Sequence, residues 1–100
     1  MKPRITPQVL RVLEFVISSP EKEISGAMIS RATGLPSGTL YPILLRLEGA
    51  GWLKSYWEKG DPSELSRPRR RFYCVTAKGA AHAREAAQKL VSVVGRLAST

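Results

Sequence analysis

The chain has 100 residues, 43% hydrophobic and 24% charged, with 16 Lys plus Arg against 8 Asp plus Glu and a formal net charge of +8. A chain this short supports one core, which excludes a multi-domain enzyme, and its ordinary composition argues against disorder or a fibrous repeat. The charge is uneven: residues 1–50 carry six basic and four acidic groups and residues 51–100 carry ten and four, a local surplus that points to a polyanionic partner. A single cysteine, Cys74, rules out an internal disulfide framework. No run reaches the roughly 18 apolar residues of a membrane span, and Met1-Lys2-Pro3-Arg4 lacks the apolar stretch of a signal peptide. The expected location is the cytoplasm.

Thr6 is placed to cap a helix over residues 7–18, with Pro7 at a first-turn position where no amide is needed and Pro20 just after the end. Val9, Leu10, Leu13, Val16 and Ile17 form one apolar stripe, which Val12 and Phe15 widen to more than half the circumference. A single core needs only about 100° of it. Part of this helix, with Val12 and Phe15, is therefore expected to meet a partner.

Ser25 can cap a short helix from about Gly26 to Thr33, with Gly34 terminating it in a left-handed conformation. A third helix is expected to begin within Pro36-Ser37-Gly38-Thr39 and run to about Gly49. Two short helices joined by a Gly-containing turn make the helix-turn-helix pattern. Leu40, Ile43, Leu44 and Leu47 fall on one side of the third helix, and Gly38, Tyr41, Pro42, Leu45 and Arg46 on the other. The second side is the candidate reading surface. Pro42 is tolerated if the helix starts near Thr39, so that it lies in the first turn.

Trp52 to Trp57 and Arg70 to Val75 read as paired strands. Between them, Lys59 to Pro68 holds two prolines and several turn formers, the composition of a mobile, exposed hairpin tip. A two-stranded wing after a helix-turn-helix is the winged-helix arrangement. Thr76 can cap a last helix running to about Leu97, whose Ala80, Ala83, Ala87, Leu90, Val94 and Leu97 recur at alternating spacings of three and four. This heptad seam is too short to stand as a free coiled coil and is weakened by Gly95, so it needs support from the domain.

Ser37-Gly38-Thr39-Leu40-Tyr41-Pro42, then Leu47-Glu48, Gly51-Trp52-Leu53, Arg69-Arg70-Arg71-Phe72-Tyr73, Val75-Thr76 and Gly79 together resemble the PadR family of winged-helix transcriptional regulators. The resemblance runs from about residue 7 to 90 and is closest to the short subclass with a single C-terminal helix; the larger helical region of the longer subclass is not expected. It implies a homodimer held by the first and last helices, the third helices in successive major grooves, the wings beside the backbone, and repression at a pseudo-palindromic operator. The expected fold is mainly α with a small β-hairpin wing: a winged helix-turn-helix DNA-binding domain over residues 1–75 and a C-terminal dimerisation helix over 76–100 packed on it. Ala83, Ala87, Leu90, Val94 and Leu97 join Val12 and Phe15 as expected dimer contacts. Some members hold a flat aromatic effector with aromatic residues of the last helix, but residues 77–100 contain no Phe, Trp or Tyr, so no aromatic effector pocket is evident.

Arg67-Pro68-Arg69-Arg70-Arg71 puts four guanidiniums into five residues, and their mutual repulsion favours a phosphate partner; the plain alternative is a solvated loop. Ser37 and Thr39, near a helix N-terminus, can offer hydroxyls and amides to phosphate or simply cap the helix. Tyr41 faces away from the core positions, Pro42 shares its side, and Gly38 either lets a duplex approach or satisfies a turn. Arg46 suits a guanine edge or a phosphate; Lys54 and Arg31 are weaker phosphate candidates. Trp52 and Trp57 are expected in the core or an interface. One histidine, His82, and one cysteine cannot build a four-ligand zinc site, and a nucleophile–base pair from them lacks an orienting group. Neither enzymatic activity, nor a metal, nor a cofactor is expected. Double-stranded DNA is the expected partner of a homodimeric regulator; the alternatives are a winged-helix protein-interaction module and a non-specific nucleic-acid-binding protein.

Overall fold

The computed structural model describes residues 2–19 and 23–98, so Pro20 lies outside the described residues. The chain runs α1 (Pro7–Ser18), β1 (Ile24–Ser25), α2 (Gly26–Thr33), α3 (Ser37–Gly49), β2 (Leu53–Trp57), α4 (Pro62–Leu65), β3 (Arg71–Val75) and α5 (Ala77–Ala98). The local signals act as expected. Thr6 Oγ1 accepts from Val9 N–H at 3.2 Å, Ser25 Oγ from Met28 N–H at 3.3 Å, and Thr76 Oγ1 from Gly79 N–H at 3.1 Å. Gly34 closes α2 at φ 75°, a conformation costly for any residue with a Cβ.

The three strands form one antiparallel sheet in the order β1-β3-β2. β2 and β3 pair from Leu53 opposite Val75 to Trp57 opposite Arg71. β1 is absent from the sequence reading. Its two residues pair with Tyr73 and Phe72 and tie the entrance of α2 to the wing's root. The core is filled from α1 by Val9, Val12, Leu13 and Val16, from α2 and the following turn by Ile29 and Leu35, and from α3 by Leu40, Ile43, Leu44 and Leu47. Trp52, 1% exposed, completes it and stacks on His82 with centroids 4.4 Å apart.

Two expected interface residues belong to this core. Val12 is fully buried and Ala83 is 6% exposed, because the wide apolar face of α1 is consumed by α2, β3 and the first half of α5. Phe15 is half-buried against the same core. The heptad seam thus divides. Its start folds onto the domain, whereas Ala87, Leu90, Val94 and Leu97 stand exposed on a helix that stretches the molecule to 61 Å against 26 and 25 Å in the other directions.

The hairpin tip is exposed, as expected, and has local structure that was not foreseen. It contains the helical turn α4, capped by Asp61, whose carboxylate accepts from the N–H and hydroxyl of Ser63 at 2.9 Å each. Ser66, at φ 57°, ends that turn. Asp61 and Ser63, two of the turn-forming residues, spend hydrogen-bonding groups on this local order.

Candidate nucleic-acid interface

α2 and α3 are joined through Gly34-Leu35-Pro36, and Leu35 anchors the turn in the core at 5% exposure. α3 turns its apolar side inward and leaves Ser37, Gly38, Tyr41, Pro42, Leu45 and Arg46 exposed. Its N-cap is Pro36, and no side chain caps this end. The hydroxyls of Ser37 and Thr39 are thus not occupied as caps; the Thr39 N–H donates to the Pro36 carbonyl at 3.0 Å, and the amides of Ser37 and Gly38 lie at the positive end of the helix dipole. Gly38 has helical backbone and nothing within 4 Å of the position a Cβ would take, so neither a turn nor packing requires glycine there.

Pro42 is a correction. Because α3 starts at Ser37, Pro42 is in its second turn and removes the amide that would have bonded the Gly38 carbonyl. Gly38 is exposed at the start of the helix, where solvent can reach its carbonyl, and α3 continues to Gly49.

Tyr41 is fixed by a close approach from α2. A Cβ on Gly26 would stand 2.6 Å from the Tyr41 hydroxyl, so the absence of a side chain at Gly26 makes room for the phenol. Half of Tyr41 remains exposed, facing a cleft between α3 and the wing that is also lined by Leu45, Trp57, Arg69, Arg70 and Arg71. Arg46 is not in this cleft. It lies on the opposite flank of α3, in a groove with Lys2, Arg4 and Lys78. Lys54 is exposed on β2.

The arginine tract is divided by two carboxylates that had no role in the sequence reading: Glu48 entered only as part of the family-like Leu47-Glu48, and Glu58 not at all. Glu58 takes Arg67 in a two-pronged ion pair, with Nη1 to Oε1 at 2.6 Å and Nη2 to Oε2 at 2.8 Å, and also accepts the backbone N–H of Arg70 at 3.2 Å. The hydrogen bond from Arg67, joined by that N–H and by the charges of Arg67 and Arg70, holds the Glu58 carboxyl down at about 2 against burial, which pushes the other way. Glu48, on α3, accepts from Ser55 Oγ at 2.5 Å and from Arg71 Nη2 at 3.1 Å, and Arg71 Nε donates to Ser55 Oγ at 2.8 Å. The Ser55 hydroxyl first, and then Arg71, lower the Glu48 carboxyl below its ordinary range. Arg71 also sits 5.3 Å from the Trp57 ring centroid.

The consequence is a division of labour. Arg67 and Arg71 are held by carboxylates that brace the wing and fasten it to α3. Arg69 and Arg70 form no ion pair among the described residues, and both are exposed; Arg69 is held outward by a 2.6 Å bond from Nε to the Gly60 carbonyl. Exposed guanidiniums outside these ion pairs, beside an exposed, uncapped α3, form a surface suited to phosphates and base edges. Among the described residues no group of three His, Cys, Asp or Glu side chains could hold a metal ion, and no helix is long and apolar enough to cross a membrane.

The family model described as "Transcriptional regulator PadR-like family" matches residues 20–85. The chain belongs to the PadR-like family. The matched segment contains the whole helix-turn-helix, the wing and the start of α5. A PadR family transcription regulator from Clostridium difficile superposes with a TM-score of 0.76 at 20% identity, covering 94% of this chain and 97% of that one. A PadR-like transcriptional regulator from Bacillus cereus gives 0.71 at 21% identity, covering 91% and 87%. A MepR variant of S. aureus gives 0.78 at 17% identity over 95% of this chain; the present chain spans only 65% of MepR's length. Another MepR variant, bound to an oligodeoxyribonucleotide, gives 0.74 at 17% identity, covering 96% and 65%. At these identities the structures establish a common winged-helix fold. No curated protein matches the sequence.

Proposed function

We propose that this PadR-like chain is a cytoplasmic, homodimeric repressor that binds a pseudo-palindromic operator in double-stranded DNA. Two α3 helices enter successive major grooves roughly 34 Å apart, and repression follows from occupying the promoter. The observation that carries this reading is the pairing of an exposed, uncapped α3 with two unpaired wing arginines, Arg69 and Arg70, on a chain of net charge +8. Ser37, Thr39, Lys54 and these arginines grip the backbone; Gly38 admits it closely, and Tyr41, Pro42 and Arg46 face or flank the bases. Residues 1–75 form the DNA-binding unit and 76–100 the dimerisation helix. The exposed half of α5 supports the dimer, since Leu90 is 56%, Val94 56% and Leu97 71% exposed, more apolar surface than an isolated helix end comfortably leaves in water.

Affinity selection from random duplex DNA at near-physiological salt, with sedimentation of the free protein, tests this. Enrichment of a two-fold-related motif with half-sites about ten base pairs apart, by a dimer, is the expected result. Binding without enrichment, or a stable monomer that ignores DNA, overturns it in favour of a coating protein or an interaction module.

A further inference from the structure

We propose that Leu45, beside Tyr41, recognises the C5-methyl groups of thymines in the major groove. The inference rests on the DNA-binding reading and assigns the chemistry by which that surface discriminates. Gly38, Tyr41 and Leu45 follow one another at spacings of three and four, which places them on one stripe of α3. Leu45 is 72% exposed, the most exposed large hydrophobic among the described residues, while its neighbours Leu44 and Leu47 are each 1% exposed. A scattered surface leucine needs no explanation. Leu45 is not scattered: it lines the cleft between α3 and the wing together with Tyr41, Trp57, Arg69, Arg70 and Arg71.

The charge around it selects the occupant. The one acidic residue lining this cleft, Glu48, is engaged by Ser55 and Arg71, so the cleft presents arginines around an apolar centre. A partner that satisfies both is a polyanion with apolar groups set between its charges. In duplex DNA the major-groove edges carry one such group, the thymine methyl, between flanking phosphates. The stripe is poor in hydrogen-bonding side chains, with only the Tyr41 phenol, whose hydroxyl is docked over Gly26. Apolar contact is thus the main discriminating chemistry this part of α3 offers.

The test uses the duplex recovered by selection, with each half-site thymine replaced singly by deoxyuridine, which removes the methyl and leaves the pairing and groove hydrogen bonds intact. Affinities are measured by fluorescence anisotropy for the full chain and for Leu45→Ala. At one or two positions per half-site, deoxyuridine is expected to weaken binding about fourfold, the equivalent of one buried methyl. Leu45→Ala is expected to bind both duplexes equally at those positions while keeping the wild-type melting temperature and salt slope. No uracil-sensitive position, or sensitivity that survives Leu45→Ala, overturns this assignment and leaves DNA binding standing. Failure of the unmodified chain to bind any duplex overturns both.

Discussion

Gly79 is the position at which the fold is least tolerant of a single added carbon. A Cβ there would stand 2.2 Å from the Trp52 carbonyl oxygen and 2.9 Å from its carbon. A comfortable carbon–oxygen approach is about 3.3 Å, so one backbone must retreat by roughly 1 Å. That oxygen is held by the N–H of Thr76 at 3.0 Å and by its hydroxyl at 3.1 Å, the contacts that start α5 against the root of the wing. Losing both bonds costs about 2 kcal/mol, and overpacking adds about 1–3 kcal/mol. Alanine's helix preference returns at most about 1 kcal/mol. Gly79→Ala is therefore expected to destabilise the chain by about 2–4 kcal/mol, a fall in thermal midpoint of roughly 10–30 °C for a domain of this size. Thermal and urea unfolding at fixed protein concentration measure it. Gly95→Ala is the control: it meets nothing within 4 Å and is expected to be neutral or slightly stabilising. If Gly79→Ala came within about 0.5 kcal/mol of the wild type, near the scatter of ordinary surface changes, the close packing of α5 on Trp52 would be wrong.

Three further outcomes follow from the interface. Gly38→Ala should leave stability unchanged or raise it by up to about 1 kcal/mol, since its Cβ position is open and helical, while weakening DNA binding; equal DNA affinity in a gel-shift titration would remove Gly38 from the contact surface. Replacing Arg69 and Arg70 by Ala removes up to four phosphate contacts from a dimer, so the slope of log affinity against log salt should become shallower by about 3 to 4. An unchanged slope would take the wing out of the binding surface. The Glu58 carboxyl, held at about 2, contributes wing order that is complete above the ordinary carboxylate range and is lost as pH falls toward 2. NMR signals of the Arg67 guanidinium should therefore hold steady on acidification through about pH 4 and change only below it; a midpoint near the ordinary carboxylate value would mean the ion pair does not form in solution.

How much of this protein was legible in its sequence depends on the range over which each feature is fixed. Thr6, Ser25 and Thr76 cap helices through bonds to amides three residues away, Gly34 ends α2 through its own φ, and the inward stripe of α3 follows from helical spacing. These are decided within a few residues, so the helix limits, the turn and the winged-helix class could be read directly. The expectation for Pro42 failed by only the two residues that separate Ser37 from Thr39, because α3 starts on Pro36 without the capping side chain that would have marked it. Tertiary structure alone decided the rest. β1 exists because Tyr73 and Phe72 lie beside it, not because two residues of its own prefer a strand. Val12 and Ala83 went to the core because other elements arrived to cover them, and the arginine tract was divided because Glu48, from α3, and Glu58, at the end of β2, reach Arg71 and Arg67. Composition could count the positive charges, but which of them are taken into ion pairs is set by pair distances across 9 and 23 residues of chain, and those exist only once the wing has folded against α3.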